Sequence, residues 1–499
     1  MRLSVSSGER TTAPAERVLW RPRGQYNEAS RGDCLVERSW AVRRVVVTGG
    51  VLALEDGPVR ADLVIHDERI AAITLDASGV EADERIDATG LIVTPGGIDV
   101  HTHFKEPADP LLEGFTTGSL GAIAGGVTSV VEMPQASPPS SRGAHIREKR
   151  RLGEAHSIVD FALWGAAINQ PLDHIDEMLD EGIVGIKSFM AGSSPGFPAA
   201  TDETLLQVFR RLAGTGIPYG LHAENDDLLQ AGIARMQALG RKDPLAHAES
   251  RPSIVEVEAV HRALFFAEQT GGHAYIVHCS TVGALELVQA ARARGVRVSA
   301  ETCPQYLTLS EEDLVRLGPF GRCAPPFRSA AEVEGLWRFL ADRTIDVVSS
   351  DHCGYTIESK EAGWDDIWQA PLGLSGIQTL FPVTFDEMVN RRKLPLEDFV
   401  RVSAANPARI FSLYPRKGCI RVGADADLAF YDTRQQWTIR ASDLLHRNKW
   451  TPFEGHTVGC RVVRTMIRGR VVYSWDGEHR VSAEPGYGRF LPRGYGRTG

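Results

Sequence analysis

Six residues of this chain could do metal chemistry together, and they stand at or near the ends of five short apolar runs. His101 and His103 close Gly97-Ile98-Asp99-Val100. Side chains two apart on a strand share a face, so both imidazoles can reach one cation. Lys187 lies in Val184-Gly185-Ile186-Lys187-Ser188-Phe189-Met190, His222 ends Ile217-Pro218-Tyr219-Gly220-Leu221, His278 follows Ala274-Tyr275-Ile276-Val277, and Asp351 follows Ile345-Asp346-Val347-Val348-Ser349-Ser350. Four imidazoles and a carboxylate could hold two divalent ions. The lysine looks out of place, because its ammonium would be repelled by metal cations and burial disfavours the charge further. A neutral amine, however, can take up CO2 and become an N-carbamate, a carboxylate-like anion able to bridge two metals. Such a pair lowers the pKa of a water between the ions and polarises a carbonyl, which suits hydrolysis of an unreactive amide. Asp351 is expected both to ligate and to carry a proton from the attacking water to the leaving nitrogen. His352, beside it, should point to the opposite face.

The elements that must position these residues are eight strand-like runs: 97 to 103, 127 to 134, 158 to 167, 184 to 190, 217 to 223, 274 to 280, 296 to 304 and 346 to 352. Helical stretches separate them, such as Ile254 to Ala267 and Val282 to Ala293. Strands alternating with helices predict an α/β protein with a parallel sheet, and eight repeats predict a closed (β/α)8 TIM barrel. The candidate ligands sit towards the C-terminal ends of their runs, where such barrels place active sites. Residues 42–96 and 416–478 are β-rich but offer too few strands for two covered faces separately. Together they predict one small β-sandwich built from both chain ends, flanking a catalytic barrel over 97–415. Residues 1–41 lack a sustained period and are read as a flexible extension, and 479–499 as a C-terminal tail.

With 499 residues, 43% of them hydrophobic, the chain can fill a large core. A net charge of −9 with mixed signs gives no basic stripe for nucleic acid. No apolar run is long enough to span a bilayer and no secretory apolar core opens the chain, so a cytoplasmic location is expected. Seven scattered cysteines predict reduced, structural thiols.

Gly97-Ile98-Asp99-Val100-His101-Thr102-His103, Ala124-Gly125-Gly126-Val127-Thr128, Gly185-Ile186-Lys187, Leu221-His222-Ala223-Glu224 and Ser350-Asp351-His352 stand in the order found in the amidohydrolase superfamily. The chain resembles its cyclic amidase branch of allantoinases, hydantoinases, dihydropyrimidinases and dihydroorotases. That resemblance implies His101, His103 and Asp351 on one metal, His222 and His278 on the other, and a carboxylated Lys187 bridging. Zinc is the default, with manganese, iron, cobalt or nickel also suited to these ligands. The resemblance also implies a homotetramer. Within the branch, Glu106-Pro107, Glu113-Gly114-Phe115, Val131-Glu132-Met133-Pro134 and above all His446-Arg447-Asn448-Lys449-Trp450-Thr451-Pro452-Phe453-Glu454-Gly455 look most like allantoinases, which open the ring of allantoin to allantoate. Lys105 and Gln135 stand where dihydroorotases have a carboxylate-binding arginine and asparagine. Gly192 stands where hydantoinases have an oxyanion-binding tyrosine. Hydantoinase or dihydropyrimidinase is the alternative, followed by dihydroorotase and by a dihydropyrimidinase-like scaffold that would have lost its metal ligands. Thr302, Cys303, Gln369 and Gly373 resemble the segments whose backbone contacts the ring in this branch.

Overall fold

The eight apolar runs become strands because they are buried on both faces, which near-continuous valine, isoleucine and alanine satisfy. A computed structural model describes residues 42–108, 111–169 and 172–497. The expected extension over 1–41 lies outside the described residues, as do Asp109 and Pro110.

The barrel strands are Gly97–His103, Val127–Glu132, Asp160–Ala166, Gly185–Phe189, Pro218–His222, His273–Ile276 and Val298–Thr302, each parallel to the next. The eighth run closes the ring in two pieces. Val347–Val348 pairs with Glu301 and Thr302, and His352–Cys353 pairs with Thr102 and His103. Between the pieces Asp351 turns the chain at φ +50°. Ser350 fixes that break by donating its N–H and hydroxyl to the buried Asp99 carboxylate of the first strand. The helical stretches foreseen from periodicity form Ser253–Thr270, closed by Gly271 at φ +73°, and Val282–Ala293, capped by Thr281.

The lower barrel interior is filled by Ile98, Val100, Met133, Trp164, Tyr275, Phe411 and Leu413. Trp164 lies against the fourth strand so closely that a Cβ at Gly185 would sit 2.3 Å from its ring. Lys187, two residues further along that strand, therefore faces the same interior, above the plug.

Apart from a two-stranded ribbon of Trp437–Thr438 with Thr457–Val458, the remaining strands form a sandwich. A four-stranded sheet (Arg69–Thr74, Asp62–His66, Arg44–Thr48, Glu84–Asp87) faces a seven-stranded sheet that draws on both sides of the barrel. Its central pairing is Ile92–Pro95 antiparallel to Leu428–Asp432. Val45, Val47, Leu63 and Ile65 from one sheet pack with Leu52, Val93, Phe430 and Met466 from the other. The residues after 478 do not trail away: His479–Val481 adds an edge strand to the larger sheet, and Phe490 and Leu491 bond along Phe161 under the barrel. Among the described residues no helix is long and apolar enough to cross a membrane. The six described cysteines are free and buried.

Candidate functional site

Strand ends of period two bring the candidate ligands to one cavity of about 330 Å³ at the barrel mouth, lined among others by His101, His103, Lys187, His222, His278 and Asp351. Asp351 Oδ1 lies 3.2 Å from His101 Nε2 and 3.2 Å from His103 Nε2. Ligand atoms of these three residues all fall within 4.8 Å of one another, a spacing that could hold a metal ion. Burial pushes the Asp351 carboxyl up, but the two histidines more than offset this and leave it below the usual carboxylate range. On the other side of the cavity His222 Nδ1 and His278 Nε2 face each other at 3.0 Å. Burial holds both imidazoles neutral, the form that ligates metals.

Lys187 is 1% exposed and its Nζ has no hydrogen-bond partner. Burial, working against the attraction of Glu301 and Asp351, brings its pKa down to about 7. An orphaned, nearly neutral amine beside converging nitrogens is a poor structural element and a good precursor of a bridging anion. The donor set of four imidazoles, a carboxylate and this amine fits a pair of divalent ions.

Three buried carboxylates that sequence reasoning left without a role hold these ligands or the strand end that carries them. Glu301 accepts from His101 Nδ1 at 2.7 Å, from the His278 N–H at 3.2 Å and from the Tyr275 hydroxyl at 2.7 Å. It thereby leaves His101 Nε2 as the free ligating nitrogen. Glu224 bonds His222 Nε2 at 2.7 Å and pairs with Arg251. Glu132 receives the Thr102 hydroxyl and the N–H groups of Phe104 and Lys105, and pairs with buried Lys149 at 3.0 Å. The available signal was an acidic residue at or just beyond the end of an apolar strand, where a charge must have a partner.

Of the residues expected at the ring, Gly373 lines the cavity, at φ +145°. Thr302 and Cys303 do not: Thr302 donates its hydroxyl to the Cys279 carbonyl and accepts the Ser349 N–H, and the Cys303 thiol faces Ser349. Gln369 is exposed on a short helical turn, and its neighbours Ala370, Pro371 and Leu372 reach the cavity instead. His352 points away, into a buried cluster with Phe104 and His446. The opposite walls carry residues that the sequence did not single out as site residues, among them Arg251, Arg322 and Tyr355. Tyr355 accepts a 2.8 Å hydrogen bond from Lys105 Nζ.

Known proteins share this architecture. The amidohydrolase family pattern matches residues 92–472. The chain is 38% identical over 451 residues to the L-hydantoinase of Paenarthrobacter aurescens, covering 90% of this chain and 98% of that one. It is 40% identical over 449 residues to the allantoinase of Rubrobacter xylanophilus, with 90% and 97% covered. Its fold is similar to the solved L-hydantoinase (dihydropyrimidinase) from Arthrobacter aurescens, with a TM-score of 0.88 at 38% identity over 91% of this chain and 100% of that one. A match that spans the whole barrel, together with candidate metal ligands gathered at its mouth, makes this chain a member of the amidohydrolase family.

Proposed function

We propose that this protein is a metal-dependent hydrolase that opens a hydantoin-type cyclic amide, with allantoin, hydrolysed to allantoate, as its foremost substrate. The observation that carries this reading is the convergence of six donor side chains in one small cavity, with Lys187 buried and unpartnered. His101, His103 and Asp351 would hold one divalent ion and His222 and His278 the other. Lys187 Nζ would add to the carbon of CO2 and release a proton, and the resulting carbamate would supply an anionic ligand shared by the two ions. When bound, the ions supply Lewis acidity, acidifying water and polarising the ring carbonyl. Zinc is the default among suitable divalent ions.

The chain's own residues do the rest. Glu301 and Glu224 fix the ring orientation and tautomer of His101 and His222. Asp351 removes the proton of the attacking water and returns it to the ring nitrogen as the carbon–nitrogen bond breaks, which leaves a carboxylate and a freed amide or ureide nitrogen. Retention of every candidate donor speaks against a scaffold role. The allantoinase-like segment His446 to Gly455 favours allantoin, while the similarity to an L-hydantoinase keeps hydantoin as the second reading. A homotetramer and a cytoplasmic location complete the proposal, the former to be read by sedimentation.

The test is steady-state turnover of metal-quantified protein on allantoin, hydantoin, dihydrouracil and dihydroorotate. We expect two ions per chain and a preference for allantoin. Preference for another ring changes the substrate, and metal-loaded protein inert on all four overturns the reading.

A further inference from the structure

The mechanism leaves two guanidinium groups of the cavity wall unused. Arg251 and Arg322 line the cavity beside Ala324, Ala370 and Gly373. Arg251 is 5% exposed, and its charge is matched by Glu224. Arg322 is placed differently. Its side chain donates to the backbone carbonyls of Trp368, at 3.0 Å, and Ala370. Its own carbonyl accepts from Lys360 Nζ and the Gly373 N–H, both at 3.1 Å, so the residue is locked to the loop that walls the cavity. The Nε atoms of both arginines are buried without partners. Burial first, then repulsion by Arg251, draws the Arg322 guanidinium down to about 10, which leaves it charged at neutral pH.

A half-buried guanidinium bonded to carbonyls, with donors unspent, is incompletely satisfied. Its planar fork suits an sp2 oxygen that can accept two N–H groups. The ring amide that reacts is committed to the metal ligands and Asp351, which leaves the second ring carbonyl or an oxygen on an arm, and comparison with bare hydantoin, which has the former and lacks the latter, separates the two. The cavity is also lined by Phe189, Ala191, Gly192 and Ser193, and at Gly192 a Cβ would meet nothing nearer than 3.6 Å, so no side chain there takes up space that an arm on the ring could use.

We infer that Arg322, backed by Arg251, is a specificity residue that binds a carbonyl-type oxygen on an exocyclic arm of the ring substrate, whether a ureide or a carboxylate. The inference rests on the cyclic-amide reading and adds to it the substrate group that this enzyme selects.

The experiment compares kcat/KM on allantoin (ureide arm), hydantoin acetic acid (carboxylate arm), methylhydantoin (alkyl arm) and hydantoin (no arm) for the parent, Arg322→Met and Arg322→Lys. The ratio of an acceptor-bearing ring to bare hydantoin should fall at least about tenfold in Arg322→Met and recover in part in Arg322→Lys. The arm whose ratio falls identifies the ureide or the carboxylate as the group bound. A purely structural arginine would lower all four rings alike, and that result, an unchanged ratio, or a parent preference for the alkyl arm overturns the inference. If the parent opens none of the rings, the cyclic-amide reading fails on its own. Calorimetric Kd values for the same four compounds then still decide Arg322, because a drop confined to acceptor-bearing compounds supports it and no such drop overturns it.

Discussion

Lys187 shows how a residue type wrong for its surroundings becomes informative. A lysine 1% exposed with no partner has lost its hydration and gained no hydrogen bond. Conversion to a carbamate removes the positive charge and supplies two acceptors. Lys187→Ala should therefore lose nearly all turnover and one bridge between the metals, with partial rescue by a short carboxylic acid plus metal. Normal metal content and turnover in that variant would end the carbamate argument. Glu301 acts one layer out, where its carboxylate at 2.7 Å from His101 Nδ1 sets which nitrogen is free. Glu301→Gln keeps the shape but weakens that control, and metal affinity measured by chelator competition should fall roughly 10–100-fold.

At the scale of elements, the loop after Asp351 depends on a distant segment. Asn448 Nδ2 donates to the Gly354 carbonyl at 2.9 Å, Trp450 Nε1 to the Tyr355 carbonyl at 2.8 Å, and the Arg447 N–H to Glu113 Oε1 at 2.9 Å. The stretch 446–450 thus clamps the piece of chain that presents Tyr355 to the cavity. Trp450→Phe keeps an aromatic side chain but is smaller and removes the donor, leaving the Tyr355 carbonyl without this bond at a cost of at least about 1–3 kcal/mol. A lowered Tm and a KM that rises more than kcat falls are the expected readouts, since the clamp touches the cavity wall and not the proton carrier.

Across the whole molecule, barrel and sandwich share a buried charge cluster. Lys417 Nζ lies 2.6 Å from Asp160 of the third barrel strand and 2.5 Å from Asp427 beside the larger sheet, and Arg468 also pairs with Asp160. Lys417→Met would strand these carboxylates and cost about 3–5 kcal/mol, read as a lower denaturation midpoint. Stability should also respond to acid through His446 and His273, which burial brings down to about 4 and about 3. Below about pH 6.5 the unfolded chain binds protons that the native histidines refuse, so stability is full above that pH and is lost as the pH falls towards about 4. Tm should fall over that range in both metal-loaded and chelator-treated protein, and His446→Gln should flatten the slope.

The sequence by itself determined the barrel and the runs that build it, and it pointed to six candidate donors at their ends, because strand period and burial on both faces are local properties written in runs such as Val184 to Met190. It also marked the sandwich, since neither β-rich end can cover two faces alone. The loops and buried partners were decided by tertiary structure. Whether Gln369 or Ala370 meets the cavity depends on a short turn held by Arg322 and Lys360, and whether Tyr355 does depends on Trp450. Glu301 and Glu132 find their partners, His101 and Thr102, only when other strands are laid beside them, whereas Glu224 bonds His222 two residues away. Hydrogen bonds across such separations leave no period for a sequence to display.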